Sequence, residues 1–180
     1  MSTDVIMVHT DIADEFLQAL KQTVTAMQAS SESLPVVVSS ASVSRIAALI
    51  EDATEKGGEV FHGGLPPPGN KTAQVIPTVI GGLSDDMKLW KEEAFGPLVG
   101  YRTFSDEAEA VKTANSPGYG LSASVWTRDL RKAFALAKQI QTGYGSRTLI
   151  MDSLLTRLQP SPYKLLDRKW RVRCAVWGCK

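Results

Sequence analysis

Cysteine is scarce in this chain of 180 residues: its two cysteines, Cys174 and Cys179, both lie near the C-terminal end. Two cysteines so placed exclude the disulfide framework of a small secreted domain. Only His9 and His62 could complete a zinc site of four Cys and His ligands with them, so we predict no metal. No apolar run is long enough to span a bilayer, and no basic-then-apolar leader opens the sequence. We therefore expect a cytosolic protein without a membrane partner.

Net charge is also small, at +1, which argues against a nucleic-acid partner for the chain as a whole. The balance is uneven, because seven basic residues and one acidic residue lie from Arg157 to the end. The part before Arg157 holds 13 basic and 18 acidic residues, a net charge of −5. Two segments of different charge therefore share one chain, and the short basic one is typical of a solvated segment.

Hydrophobic spacing predicts strands that alternate with helices. A continuous apolar run over Val5–Val8 is typical of a strand buried on both faces of a parallel sheet, and Gln74–Gly81 reads as another strand. Helical spacing gives three apolar faces: Ile12, Phe16, Leu20, Val24 and Met27; Val43, Ile46, Ile50 and Ala53; and Leu130, Phe134, Ala137 and Ile140. We predict an α/β fold with a largely parallel sheet and flanking helices.

Capping and turn residues predict where some of these helices begin and end. Thr10 or Asp11 is expected to cap the first helix, and Ser84 is expected to begin a short one. Gly57 and Gly58 are expected to stop the second helix.

Residues 90–97 read Trp-Lys-Glu-Glu-Ala-Phe-Gly-Pro, and they are the most informative stretch of the sequence. The pattern predicts a helix end that delivers an acid and an aromatic ring to a turn. Gly96 lets the backbone bend or approach another group closely, and Pro97 disfavours a helical conformation at Gly96. By pattern alone, such a run is usually a solvated pair of glutamates beside a buried phenylalanine.

A second segment, Asn115–Ala123, reads Asn-Ser-Pro-Gly-Tyr-Gly-Leu-Ser-Ala. In this order, the two segments resemble the aldehyde dehydrogenase superfamily, most of all its vanillin and salicylaldehyde dehydrogenase-like members. The resemblance implies that the fold is part of the catalytic domain of that family. It also implies NAD or NADP as the cofactor and oxidation of an aldehyde to a carboxylic acid as the reaction.

The resemblance assigns cofactor-binding roles to two residues, Glu93 and Phe95. In the family, the matching glutamate hydrogen-bonds the nicotinamide ribose hydroxyls and the matching phenylalanine packs near the nicotinamide ring. A carboxylate suits a vicinal diol because it accepts two hydrogen bonds at once. Ser42 and Arg45 match positions near the adenosine ribose, although a helix start with an exposed arginine fits them at least as well.

The resemblance also implies which family parts these residues lack. Related enzymes carry a catalytic loop Gly-Gln-x-Cys-Met-Ser-Thr, and this chain begins Met-Ser-Thr. Aligned in this way, it begins directly after the nucleophilic cysteine, and the Rossmann-like cofactor domain, the general-base glutamate and the oxyanion asparagine are expected upstream. After Tyr144 the family's Gly-Gly-x-Lys-x-Ser-Gly-x-Gly-Arg segment does not follow. We therefore divide the chain into a partial catalytic domain, 1–144, and a divergent basic tail, 145–180.

These observations leave three hypotheses of function. The first is a truncated aldehyde dehydrogenase without catalytic residues, inactive alone, for which binding of NAD or NADP is doubtful. The second is a non-catalytic interaction protein that docks onto a full-length homologue, in a homo- or hetero-oligomer with aldehyde dehydrogenase-like chains. The third is that both ends are artefacts of gene prediction and that the native protein is a full-length oxidoreductase.

Overall fold

The computed structural model describes residues 3–30, 34–66, 73–118, 120, 123–127, 129–141, 147–150 and 174–179. The chain forms two compact units, one of Met1–Asp14 with Thr103–Lys180 and the other of Glu15–Arg102. One boundary between them falls inside a helix and the other inside a strand.

The unit that contains both chain ends is built on parallel strands. Its strands are β1 (Val5–His9), β5 (Ala123–Thr127), β6 (Arg147–Ile150) and β7 (Cys174–Cys179), and its helices are α4 (Glu107–Ala114) and α5 (Leu130–Gln139). β7 pairs in parallel with both β1 and β5, and β5 pairs in parallel with β6. Val5–Val8 are all buried, as predicted. No element was predicted for the tail, so β6 and β7 are additions, and the division at Tyr144 stays a prediction.

The unit Glu15–Arg102 carries the stretch around residues 90–97. Its helices are α1 (Ala13–Ser30), α2 (Ser40–Glu55) and α3 (Lys88–Lys91), and its strands are β2 (Glu59–His62), β3 (Thr78–Gly81) and β4 (Leu98–Phe104). β2 pairs antiparallel with β3, and β3 pairs in parallel with β4. With helices beside strands that are mostly parallel, the predicted α/β class is confirmed.

The helix α2 forms and ends as its sequence predicts. Its buried face comprises Val43, Ile46, Leu49, Ile50 and Ala53, which is the predicted face with one leucine added. Gly57 follows the helix with a φ of 90°, a conformation that glycine adopts without steric cost. The Gly58 N–H then donates to the Ala53 carbonyl at 2.8 Å and closes the end of the helix.

The strand β3 is shorter than the predicted strand Gln74–Gly81. Gln74 lies outside β3, in an isolated antiparallel bridge with Val36. Pro77, which has no N–H to give to a ladder, comes directly before the strand. All four residues of β3 are buried.

The start of the first helix also differs from the prediction. His9 caps a short 3-10 turn over residues 10–12, because its Nδ1 accepts a hydrogen bond from the Asp11 N–H at 3.2 Å. The prediction of Thr10 or Asp11 as the cap is therefore wrong, and α1 begins only at Ala13.

The apolar face of α1 is only partly buried. Phe16, Leu20 and Val24 are half-buried, and Met27 is exposed. Even so, none of the helices in the described ranges is both long and apolar enough to cross a lipid bilayer.

The buried face of α5 is only partly the predicted one. Leu130 and Phe134 are exposed, so the prediction is wrong at these two positions. The buried residues are Ala133, Leu136 and Ala137 in α5 and Ile140 directly after it. Small alanine side chains let a helix backbone lie close to its neighbours, and α5 is in contact with β5 and β6.

Candidate functional site

The stretch Trp90–Pro97 is a helix end followed by a turn, as predicted. α3 ends one residue before Glu92, whose backbone is already extended, with φ −125° and ψ 146°. Phe95 then takes a positive φ of 48°, and the chain bends at Gly96 and Pro97. At the far end of the turn, the Thr78 N–H donates to the Pro97 carbonyl at 2.8 Å and joins the turn to β3.

Phe95 is the one non-glycine residue with a positive φ in the described part of the chain. The left-handed region costs an L-residue about 1–2 kcal/mol. Phe95 is 67% exposed, so burial of this residue does little to offset the strain. The alternative of solvated glutamates beside a buried phenylalanine is therefore wrong. Backbone strain at an exposed aromatic residue is more typical of a binding position than of a packing position.

Glu93 precedes Phe95 by two residues and is half-buried, whereas Glu92 is exposed. An ionised carboxylate accepts hydrogen bonds from two hydroxyls at once, and an exposed aromatic ring offers a flat apolar surface. The two residues that the resemblance assigned to the cofactor thus lie on one turn, with complementary chemistry.

A comparison of glycine and alanine variants at position 95 measures the backbone strain of this turn. We expect Phe95→Gly to be more stable than Phe95→Ala by about 1 kcal/mol, because glycine adopts a positive φ without the steric cost that alanine retains. Both variants lose the ring, so the lost ring contacts cancel in the comparison. Denaturant unfolding of the two variants gives the difference, and an alanine variant as stable as the glycine variant would contradict a strained turn.

Gly96 serves both close approach and bending. A Cβ atom at Gly96 would lie 2.4 Å from Ile46 Cδ1 and 3.6 Å from Val37 Cγ1. Ile46 is a buried residue of α2, so the turn rests directly against that helix. The sequence left bending and close approach open for Gly96, and the structure shows both: the chain bends at Gly96 and Pro97, and Gly96 packs closely against Ile46.

Arg45 of α2 contacts the turn along its length. Its Nη1 donates to the Ala94 carbonyl at 3.2 Å, and its Nη2 donates to the Glu93 carbonyl. Its Cζ lies 5.8 Å from the centroid of the Phe95 ring, and Nη2 lies 3.9 Å from Glu92 Oε2. One guanidinium thus contacts four consecutive residues.

Ser42 and Arg45 have local partners in the structure. The Ser42 N–H donates to Ser39 Oγ at 3.3 Å, and the two hydroxyl oxygens lie 3.2 Å apart. Ser42 therefore belongs to the capped start of α2, which is the alternative that the sequence left open. A role for either residue near an adenosine ribose stays a prediction.

The start of α3 is fixed by a carboxylate from α2. Asp52 accepts hydrogen bonds from the Lys88 N–H and from Lys56 Nζ, each at 2.7 Å. α3 begins at Lys88 after Met87, which makes no side-chain cap, so the prediction that Ser84 begins this helix is wrong. Burial alone raises the pKa of Asp52, but the hydrogen bonds from Lys56 and Lys88 and the charges of both lysines outweigh it and hold that pKa below its ordinary value.

Acid is expected to weaken the junction of α2 and α3 by protonating Asp52. Because its folded-state pKa lies below the ordinary value of 3.8, its contribution to stability is present above that value and is lost as the pH falls through the folded-state pKa. Asp52→Asn should lower the free energy of unfolding at neutral pH by about 1–2 kcal/mol. It should also flatten the acid branch of the stability curve.

Denaturant titrations at several pH values, from neutral to about pH 3, cover the range in which a carboxylate titrates. Glu55→Gln, an exposed position on the same helix, is the matched control and should follow the parent. An Asp52→Asn variant with the parent's acid branch would contradict this role of Asp52.

The second sequence segment begins at Asn115, in the other unit. Asn115 ends α4, and its side chain joins that end to the end of α5. Its Nδ2 donates to the Gln139 carbonyl at 2.9 Å, and its Oδ1 accepts from the Gln141 N–H at 2.7 Å. Asn115 therefore has a structural role. The remaining side chains that carried the resemblance in this segment, Tyr119, Leu121 and Ser122, lie outside the described residues.

The two histidines have separate local partners. The His9 ring packs edge-on against Phe104, with centroids 5.3 Å apart, and His62 Nε2 lies 2.8 Å from Gln28 Oε1. Among the residues that the structure describes, no three His, Cys, Asp or Glu side chains cluster as metal ligands. The expectation of no metal site stays a prediction.

This chain is similar in sequence to aldehyde dehydrogenases. The profile of the "Aldehyde dehydrogenase family" matches residues 1–146. A chloroplastic betaine aldehyde dehydrogenase from Beta vulgaris is 32% identical over 148 residues, which cover 79% of this chain and 30% of that protein. The peroxisomal aminoaldehyde dehydrogenase 2 of Malus domestica is 34% identical, with 79% and 29% covered. A cytosolic location for this chain stays a prediction.

Solved structures agree with the sequence comparison. The NAD⁺ complex of an aldehyde dehydrogenase from Bacillus cereus aligns with a TM-score of 0.69 and 28% identity, over 82% of this chain and 30% of that one. An apo betaine aldehyde dehydrogenase from Staphylococcus aureus aligns with a TM-score of 0.70 and 29% identity, with the same shares covered. The chain thus spans about 30% of the length of the proteins it matches.

Proposed function

This chain belongs to the aldehyde dehydrogenase family, and from that premise we propose that its Glu93–Phe95 turn contacts the nicotinamide riboside half of NAD or NADP. The proposal rests chiefly on Phe95, which keeps an exposed ring on a strained backbone. The Arg45 guanidinium lies 5.8 Å from the centroid of this ring, and a ligand with a flat ring would give the exposed surface of Phe95 a further partner.

The residues of the turn fit the chemistry of a nicotinamide riboside. The Glu93 carboxylate can accept hydrogen bonds from both ribose hydroxyls, and the Phe95 ring can lie near the nicotinamide. When bound, the cofactor supplies the hydride acceptor that aldehyde oxidation requires. The turn contributes position: it holds a carboxylate and a ring two residues apart, on a backbone joined to α2 and β3.

The family reaction also needs a nucleophile, and the part of this chain that matches the family holds none of the expected kind. Aldehyde oxidation in the family uses a thiolate. The two cysteines of the chain, Cys174 and Cys179, both lie beyond the matched residues 1–146. We therefore propose that these 180 residues contribute a cofactor contact to the family reaction but do not perform it alone.

Substitution of Glu93 tests the proposed contact. Saturation-transfer NMR detects weak binding, and nicotinamide mononucleotide is the probe. We expect transfer from the protein to the ribose and nicotinamide protons, and roughly tenfold weaker binding in Glu93→Gln, because a charge-assisted hydrogen bond is replaced by a neutral one.

Glu55→Gln is the matched control, since Glu55 is an exposed carboxylate of α2 that lies outside the turn. It should leave the binding of nicotinamide mononucleotide unchanged. Equal effects of the two substitutions, or no transfer to the unsubstituted chain, would contradict the proposed function.

A further inference from the structure

Arg45 reaches the turn from a distant part of the sequence. It lies in α2, 48 positions before Glu93 and 49 before Ala94, whose carbonyls accept hydrogen bonds from its guanidinium. Arg45 is 40% exposed at its side chain, so its charge stays partly solvated while both hydrogen bonds form. The contact is therefore a long-range tie between α2 and the turn.

The two hydrogen bonds fix the backbone next to the strained residue. Peptide groups are planar, so a fixed carbonyl defines the orientation of its whole peptide plane. The carbonyls of Glu93 and Ala94 belong to the two planes that lead into Phe95. Holding both planes fixes the φ and ψ of Ala94, the residue directly before Phe95 with its φ of 48°.

The same guanidinium also faces the ring. Its Cζ lies 5.8 Å from the centroid of the Phe95 ring, within the range of a cation–π contact. A guanidinium can serve two carbonyls and a ring together because it is planar and carries five N–H donors in a fixed arrangement, whereas a lysine offers a single ammonium group.

We propose that Arg45 is the positioning residue of the nicotinamide-binding turn. It holds the peptide planes of Glu93 and Ala94 and the ring of Phe95, so that the Glu93 carboxylate and the ring meet the nicotinamide riboside together. This inference rests on the proposed function of the turn. It assigns Arg45 to the turn itself rather than to direct contact with the cofactor.

The test combines a measurement of backbone order with one of ligand binding. We expect Arg45→Met to lower the ¹⁵N order parameters of Ala94, Phe95 and Gly96 from about 0.85 to below about 0.6. Binding of nicotinamide riboside, a probe without a phosphate, should weaken roughly tenfold, the factor expected for lost charge-assisted hydrogen bonds. Methionine keeps the helix propensity of arginine, so α2 should stay folded.

Two further variants separate position from charge. Arg45→Lys keeps the charge but not the planar group, so it should show the same loss of order and binding. Arg102→Met is the matched control, because Arg102 also stacks on an aromatic ring, with its Cζ 5.8 Å from the Trp90 centroid, and pairs with Asp85 at 2.6 Å. It should change neither the turn nor the binding.

Each outcome bears on the inference. An ordered turn in Arg45→Met, a disordered turn with full binding, or a lysine variant that behaves like the parent would overturn it. If the unsubstituted chain itself binds no nicotinamide riboside, the proposed function fails first, and this is visible before any variant is compared.

Discussion

Replacing Gly96 with alanine is expected to lower the free energy of unfolding by about 1–3 kcal/mol, the usual cost of overpacking a filled site. The new Cβ atom would lie 2.4 Å from Ile46 Cδ1 and 3.3 Å from Ile46 Cγ1. Ile46 is 2% exposed, so it has little room to move away. Denaturant unfolding measures the loss, and the ¹⁵N spectrum shows whether the turn has shifted from α2.

A second substitution tests the cause of this loss. Ile46→Val removes the Cδ1 atom that the alanine would meet, and by itself should cost about 0.5–1.5 kcal/mol. Combined with Gly96→Ala, it should restore part of the lost stability, with a coupling of about 1 kcal/mol or more between the two positions. Gly118→Ala is the control, because nothing lies within 4 Å of a Cβ atom there. Strictly additive losses would contradict the close contact between the turn and α2.

The purified chain is expected to give no aldehyde-dependent reduction of NAD or NADP above the buffer rate. Loss of a nucleophile and its helpers costs on the order of a million-fold in rate in the best-studied catalytic triad. Absorbance at the NADH wavelength, with betaine aldehyde and an aminoaldehyde as substrates and an intact relative as the positive control, measures this directly.

The two cysteines provide the decisive variants for this second prediction. A turnover that disappears in Cys174→Ser or Cys179→Ser would show that a cysteine outside the matched residues serves as the nucleophile. That result would contradict the proposal that these residues only contribute a cofactor contact. A rate that neither substitution changes would point to a contaminating enzyme, which a repeated purification can remove.

Local patterns were sufficient to predict much of the fold. Val5–Val8 and the apolar face of α2 are buried as predicted. Their burial was predictable because it follows from the polarity of each residue and from its spacing along the chain. The helix end and turn over Trp90–Pro97 were also predictable, since proline and glycine restrict the backbone through their own covalent structure. The assignment of Glu93 and Phe95 came from resemblance, and the structure adds that Phe95 is exposed and has a positive φ.

The remaining features depend on contacts between distant residues. The sequence does not indicate that Arg45 donates to carbonyls nearly fifty positions away. Any exposed arginine in a helix has the same local sequence pattern. Glycine at position 96 was expected to allow a bend or a close approach, but nothing in the sequence indicated that Phe95 takes the positive φ. In α5, Leu130 was predicted to be a core residue, and only the packing of the helix shows that Leu130 is exposed and Ala133 is buried.

A ¹H–¹⁵N titration of the chain with nicotinamide mononucleotide, compared with adenosine monophosphate at the same concentrations, tests the central claim most directly. The nicotinamide nucleotide is predicted to shift the backbone amides of residues 93–96, and the adenosine nucleotide to leave them in place. Shifts at residues 93–96 with adenosine monophosphate alone, or none with nicotinamide mononucleotide, would contradict the claim that this turn is a nicotinamide contact.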